Sequence, residues 1–218
     1  MSYSLAEVFK PNAFPDLTYV SRSSGSVDMT NEDRLRIACR KIGFLTYVTG
    51  MPKTGKTSLC QKVILFKDLV SISGAEFNTD EDIWSVIRRS AQMPVKENKA
   101  SAAEPDSQKQ ATFDLFQSVK EEVIAYFKQN KKILLIDDFQ NASFNRRHML
   151  ALQLKDAIGK GLQVVVVSSS SKANELLQLN PDLSGRISMI KLRPWKNEEL
   201  KTIAKLGFES WVSSAQMN

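Results

Sequence analysis

Only two cysteines, Cys39 and Cys60, and one histidine, His148, occur among the 218 residues. Both cysteines sit in apolar helical patterns, and they read as reduced core thiols of a cytosolic protein, because disulfides are rare in that compartment. A disulfide scaffold is thereby excluded. His148 has no Cys or His at ligand spacing, which excludes a histidine-based zinc site and makes it a surface residue. No apolar run approaches the roughly 18 residues of a spanning helix, so no membrane partner is expected. The opening "MSYSLAEVFKPNAF" lacks a basic segment followed by an apolar one, so it is no secretory signal. Internal repeats and long basic tracts are also missing. The net charge of +6 is spread out, with short clusters at Arg34–Arg40 and Arg146–Arg147. Two readings of that charge stand: an acidic partner such as DNA, or a solvated surface that keeps the chain soluble.

What is present is an alternation of strands and helices. Residues 1–30, rich in Ser, Pro and Asn, read as a loop or arm over the domain edge. "NEDRLRIACRKIG" (31–43) reads as a helix capped by Asn31, with Leu35, Ala38, Cys39 and Ile42 on one face and Gly43 as its stop. "FLTYV" (44–48) is a buried strand, "KTSLCQKVILF" (56–66) a helix and "LVSISG" (69–74) a strand. "NTDEDIWSVIRRSAQ" (78–92) reads as a helix with three acids in its first turn, favourably placed against the helix dipole. Residues 95–110 are polar and read as an exposed connection. Phe113, Phe116, Val119, Val123 and Phe127 then recur at helical spacing.

"KILLIDDF" (132–139) is a continuous apolar strand, as in a parallel sheet covered on both faces. A helix over 144–160, the strand "LQVVVVSSS" (162–170), a short helix "KANELLQL", the strand "ISMIKL" (187–192) and the helix "NEELKTIAKLG" (197–207) complete the series. The fold class expected is α/β, three layers around a parallel sheet with right-handed crossovers. The expected organisation is an arm at 1–30, a core at 31–208 and a tail at 209–218.

One stretch carries chemistry outright. Gly50, Met51, Pro52, Lys53, Thr54, Gly55, Lys56 and Thr57 fit G-x-x-x-x-G-K-[ST] at every fixed position. A chance match in such a chain is on the order of 1%. The loop also lies between an expected strand and an expected helix. Glycines let backbone N–H groups wrap phosphates, and the helix start, with Ser58 in its first turn, adds positive potential. Lys56 is placed to reach the β- and γ-phosphates, and Thr57 to offer a hydroxyl to Mg²⁺. Turnover further needs carboxylates on a neighbouring strand. Asp137 ends an apolar strand and fits the metal-shell acid. Asp138 follows, either polarising water or acting as a cap or metal-shell helper. Ser168 and Ser169 end the next strand, where a hydroxyl bonds the γ-phosphate or simply makes a turn.

In their order, the phosphate loop, "ILLIDDF", "VVVVSSS" and "NPDLSGRISMIKLRPWKNEELKTI" resemble the AAA+ and STAND superfamily of P-loop NTPases. Bacterial STAND-like ATPases look closest, given "FPDLTYVSR" (14–22) ahead of the loop. The resemblance covers roughly residues 10–208. It implies a five-stranded parallel sheet of order 5-1-4-3-2, with ATP as the nucleotide and Mg²⁺ beside it. It also implies an adenine-side loop that contains Tyr19 and Arg22. It makes Arg186, just before the last strand, either an arginine finger toward a neighbouring subunit or a local ion-pair residue. No guanine-reading Asn-Lys-x-Asp occurs on a suitable loop. The chain stops at "LGFESWVSSAQMN", where such families begin a helical lid, and Asp138 stands where many have Glu. Three functions follow from the resemblance: an ATP-dependent switch controlling self-association or partner docking in bacterial defence or signalling, a DNA-associated regulator ATPase, and a nucleotide-binding adaptor without turnover.

Overall fold

The computed structural model describes residues 3–10, 13–23, 29–94, 105–169 and 175–215. Five parallel strands form one sheet: β1 (Leu45–Gly50), β2 (Leu69–Ser73), β3 (Ile133–Asp137), β4 (Val164–Ser169) and β5 (Ile187–Leu192). Their order is β2-β3-β4-β1-β5, which read from the other side is the expected 5-1-4-3-2. Side chains of a strand alternate between faces, and β3 shows the consequence. Leu134 and Ile136 enter one core with Trp84, Ile87, Val123, Phe127, Leu150 and Leu154. Leu135 enters the other, with Leu35, Leu59, Cys60, Val165 and Ile190. Two buried faces explain why β3 and β4 are almost uninterruptedly apolar.

The first core is covered by α4 (Ile83–Ser90), α5 (Pro105–Gln129) and α6 (Phe144–Gly159), and the second by α2 (Asn31–Cys39) and α3 (Lys56–Val63). Helix α4 shows how such an element is fixed. The Asp82 carboxylate accepts from the N–H groups of Trp84 at 2.9 Å and Ser85 at 3.0 Å, a cap worth about 1 kcal/mol. Ile83, Trp84, Val86 and Ile87 are then buried, each contributing roughly 1.5–3 kcal/mol through lost apolar exposure. The acids expected in its first turn lie upstream instead, because Asp82 takes the cap and the helix starts only at Ile83.

Other boundaries differ for local reasons. The cap of α2 is Thr30, whose hydroxyl accepts from Asp33 N–H at 3.1 Å, so Asn31 is the first helical residue. Ile42 lies beyond the helix end and is exposed rather than on its apolar face. Helix α3 stops at Val63, and residues 64–66 turn away from it. The segment expected as a connection at 95–110 is helical from Pro105 on, and its earlier part lies outside the described residues. Of the expected stripe, Val119, Val123 and Phe127 are buried. The side chains of Phe113 and Phe116, and residues 170–174, also fall outside the described set.

A short helix, α7 (Glu175–Leu179), adds Leu176 and Leu179 to the first core, and the last helix, α8 (Asn197–Ala215), runs past Gly207 rather than ending there. Gly207 is where α1 (Leu5–Val8) comes closest to α8. A Cβ at that position would lie 2.1 Å from the Phe9 ring. That ring meets Phe208 edge to face at 5.8 Å. Cys60 is buried and Cys39 half-buried, both free, and burial pushes both thiols up, Cys39 to about 11. His148 is exposed.

Candidate nucleotide site

The C-terminal ends of β1, β3 and β4 meet at one place. Gly50 closes β1 and must be glycine: a Cβ there would lie 2.8 Å from Leu192 O and 2.9 Å from Thr54 Oγ1. The chain then turns through Met51–Gly55. Lys53 and Gly55 both adopt left-handed backbone, at φ 62° and 83°, which glycine accepts and lysine adopts at a cost. Helix α3 begins at Lys56 with no side-chain cap. Its first N–H groups are therefore donors awaiting an acceptor, and the helix end favours an anion.

Lys56 folds back over this loop. Its ammonium donates to Gly50 O at 3.2 Å and Met51 O at 3.0 Å. An ammonium carries three donors, so one remains for a further acceptor. Burial lowers its pKa, against the opposing pull of Asp138 and Asp137. Thr57 donates its hydroxyl to Asp137 Oδ2 at 2.7 Å. Burial raises the Asp137 pKa, opposed mainly by that hydrogen bond. Hydroxyl and carboxylate oxygens side by side are the hard donors that Mg²⁺ prefers, and Mg²⁺ usually keeps several waters and takes phosphate oxygens for the rest. Among the described residues no group of three or more His, Cys, Asp or Glu could hold a metal by itself.

Asp138 sits in left-handed backbone at φ 48°, its N–H donating to Asp137 Oδ1 at 2.9 Å. Two features hold it there. Gly74, after β2, approaches so closely that a Cβ would lie 2.5 Å from Asp138 O. Gln140 donates from Nε2 to Asp138 Oδ1 at 3.0 Å, while its Oε1 accepts from Ser168 Oγ at 3.0 Å and from Ser169 N–H at 3.1 Å. Gln140 thus links the ends of β3 and β4, and Ser168, buried, faces it rather than open solvent. Sequence reading passed over Gln140. Its only signal was a long amide two residues beyond the Asp137–Asp138 pair.

Two cavities adjoin at Gly55 and Ser58. One, of about 550 Å³, is polar and bounded by Pro52, Lys53, Lys56, Thr57 and Asp138. The other, of about 110 Å³, is mostly apolar, with Tyr19, Val20, Leu59, Leu192, Trp195 and Ile203 in its wall. Tyr19 stacks on Phe14 at 5.7 Å and donates to Glu32 Oε1 at 2.6 Å. Burial, then that bond, pushes its phenol pKa up.

Arg22 is buried and clamps the loop. Its guanidinium donates to Thr54 O and to Arg193 O, and it lies 3.6 Å over the Trp195 ring. Trp195 in turn donates to Lys53 O at 3.0 Å. Arg193 makes a two-armed contact with Glu199. The segment before β1 and the segment after β5 therefore hold the phosphate loop between them.

Arg186 is placed elsewhere. It precedes β5, and Leu45 N–H donates to its carbonyl at 2.8 Å. Leu45 and Gly50 are the two ends of β1, so about 17 Å of strand separates Arg186 from its own phosphate loop. The arginine is exposed and outside its own chain's site.

Comparison with known proteins agrees with this geometry. Cdc6p from Pyrobaculum aerophilum is similar at 19% identity and a TM-score of 0.59, over 94% of this chain and 52% of that one. A Walker-type ATPase of Pyrococcus abyssi is similar at 17% identity and a TM-score of 0.50, over 82% of this chain and 57% of that one. The chain spans little more than half the length of either, and at these identities the likeness is one of fold. No curated protein matches the chain. A family model described as AAA domain matches residues 43–177, from the start of β1 past the end of β4. With the phosphate loop, the Asp137 strand and four of the five strands, β1 to β4, in that span, the chain belongs to the AAA domain family of P-loop ATPases.

Proposed function

We propose that the chain is an ATP-binding, slowly hydrolysing switch whose nucleotide state controls self-association or the docking of a partner, of the kind STAND-like ATPases provide in bacterial defence or signalling. The observation that carries this reading is the adjoining pair of cavities, one apolar and one polar, joined at Gly55 and Ser58. The first accepts a base and ribose beside Tyr19 and the Arg22 loop. The second accepts phosphates against Met51–Ser58, with Lys56 giving its remaining donor to a phosphate oxygen. Thr57 and Asp137 would hold Mg²⁺, which would supply positive charge to offset the negative charge that develops on the phosphate during transfer.

Asp138 orients the attacking water and accepts its proton. Its exposed carboxylate already has one oxygen committed to Gln140, which leaves the other for water. Because Arg186 lies at the far end of its own sheet, it serves the γ-phosphate of a neighbouring copy, where a guanidinium stabilises the transferring group. A DNA-associated ATPase of the same family is the second reading, favoured by the net charge of +6.

The test is Mg²⁺-dependent nucleotide binding and turnover by the purified chain, with Lys56→Ala as control, with and without duplex DNA. Turnover that requires Lys56 is the expected result. Salt-sensitive stimulation by DNA would put the second reading first. Binding without turnover would make the chain an adaptor, and no binding would overturn the nucleotide reading.

A further inference from the structure

In a parallel sheet every strand is entered from the same edge, so the loops leading into β1, β2 and β3 share the edge opposite the phosphate loop. These loops are residues 40–44, 64–68 and 130–132. They carry Arg40, Lys41, Lys67, Lys131 and Lys132, and a single acid, Asp68. Among the described residues none of the five cations is in an ion pair, although the Lys132 ammonium donates to Lys67 O and Lys41 lies over the Phe44 ring, and Lys160 before β4 is paired with Glu121 and Asp156. The same loops hold out Phe66, 93% exposed, Ile42, 76% exposed, and Leu65, 63% exposed. Three strand spacings separate β1 from β2, so the cations and apolar tips are spread over roughly 14 Å along this edge.

Scattered exposed apolar residues need no explanation. Here the two most exposed large apolar side chains of the described residues stand at loop tips within one or two residues of Lys41 and Lys67. We propose that this edge is an attachment surface for an anionic lipid bilayer. The cations meet lipid phosphates, and Phe66, Leu65 and Ile42 enter the boundary between headgroups and acyl chains. A nucleic acid backbone would use the lysines and arginine equally well, but it gives Leu65 and Ile42 nothing to enter. A lipid surface takes both sets of side chains at once. No helix of the described residues is long and apolar enough to cross a membrane, and surface attachment does not require one.

The test is co-sedimentation of the whole chain with vesicles of phosphatidylcholine alone and of phosphatidylcholine mixed with phosphatidylglycerol. Binding only to the mixed vesicles, weakened by salt, is expected. Since each basic residue near an anionic surface is worth about 1 kcal/mol, the double substitution Lys41→Glu/Lys67→Glu should weaken partitioning roughly tenfold or more. Leu65→Ser/Phe66→Ser should weaken it comparably in the same vesicles. Both pairs are exposed, so an unchanged thermal midpoint and unchanged nucleotide binding separate lost attachment from lost folding and from any failure of the ATP reading. No binding to mixed vesicles would overturn the proposal. So would binding to duplex DNA in place of vesicles, or vesicle binding indifferent to Leu65→Ser/Phe66→Ser.

Discussion

The two edges of the sheet are built on opposite plans. At the edge where strands end, polar groups are gathered inward. Lys56 turns back onto two carbonyls, Thr57 binds Asp137, and Gln140 gathers Asp138, Ser168 and Ser169. At the edge where strands begin, Arg40, Lys41, Lys67 and Lys131 are exposed, Lys160 before β4 is paired with Glu121 and Asp156, and apolar tips project. The first arrangement costs backbone strain at Lys53 and Asp138, typically 1–3 kcal/mol per residue. The second has one such residue as well, Lys131 at φ 52° in the turn before β3. Convergent side-chain hydrogen bonds at one edge mark where chemistry is organised, and exposed cations beside exposed apolar tips at the other mark a surface available for contact.

The largest break in this contrast should come from Lys56→Ala. It removes the one flexible cation of the phosphate loop's inner side, and ATP turnover in a steady-state assay should fall by about 10²–10³-fold. Gln140→Ala comes next. It frees Asp138 from β4 while leaving the phosphate loop intact, so turnover should fall by roughly 10–100-fold with nucleotide affinity nearly unchanged. Equal losses in affinity and turnover would instead make Gln140 a packing residue.

Gly74→Ala tests the same geometry from the backbone side. Its Cβ would collide with Asp138 O, and overpacking of this sort costs about 1–3 kcal/mol, visible as a lowered thermal midpoint. Arg22→Ala should cost about 2 kcal/mol in a denaturant titration, because it removes charge-assisted hydrogen bonds and the stack on Trp195 together.

The smallest effect expected is a pH effect at the Arg193–Glu199 anchor. Hydrogen bonds from Arg193 lower the Glu199 pKa from 4.5 to about 2. A carboxylate held down in the fold stabilises it above its ordinary value and loses that contribution as pH falls through the folded value. Part of the thermal stability should therefore vanish between about pH 4.5 and about pH 2. Glu199→Gln should be less stable near neutrality and should lose less over that window; parallel acid limbs would count against the anchor.

Much of this was legible in the chain. Continuous apolar runs marked β3 and β4, since a strand covered on both faces has no polar side. The phosphate loop was legible because its chemistry depends on residue types at fixed spacing along one turn. Boundaries were less so. Thr30 took the cap expected at Asn31, and the helix expected from residue 78 starts only at Ile83 behind Asp82, because capping depends on which side chain meets the helix N–H groups. Gln140, Gly74 and Trp195 left almost no trace, as their partners are distant in sequence.

By itself, then, the sequence determined that there is a parallel α/β core with a phosphate loop, since periodicity and local spacing are properties of neighbouring residues. Tertiary structure alone decided that Arg22, Trp195 and Glu199 brace that loop, that Gln140 unites two strand ends, and that Arg186 stands a full strand length from its own site. Those facts follow from which strands lie side by side and which way they run, and the packing of the whole sheet sets both.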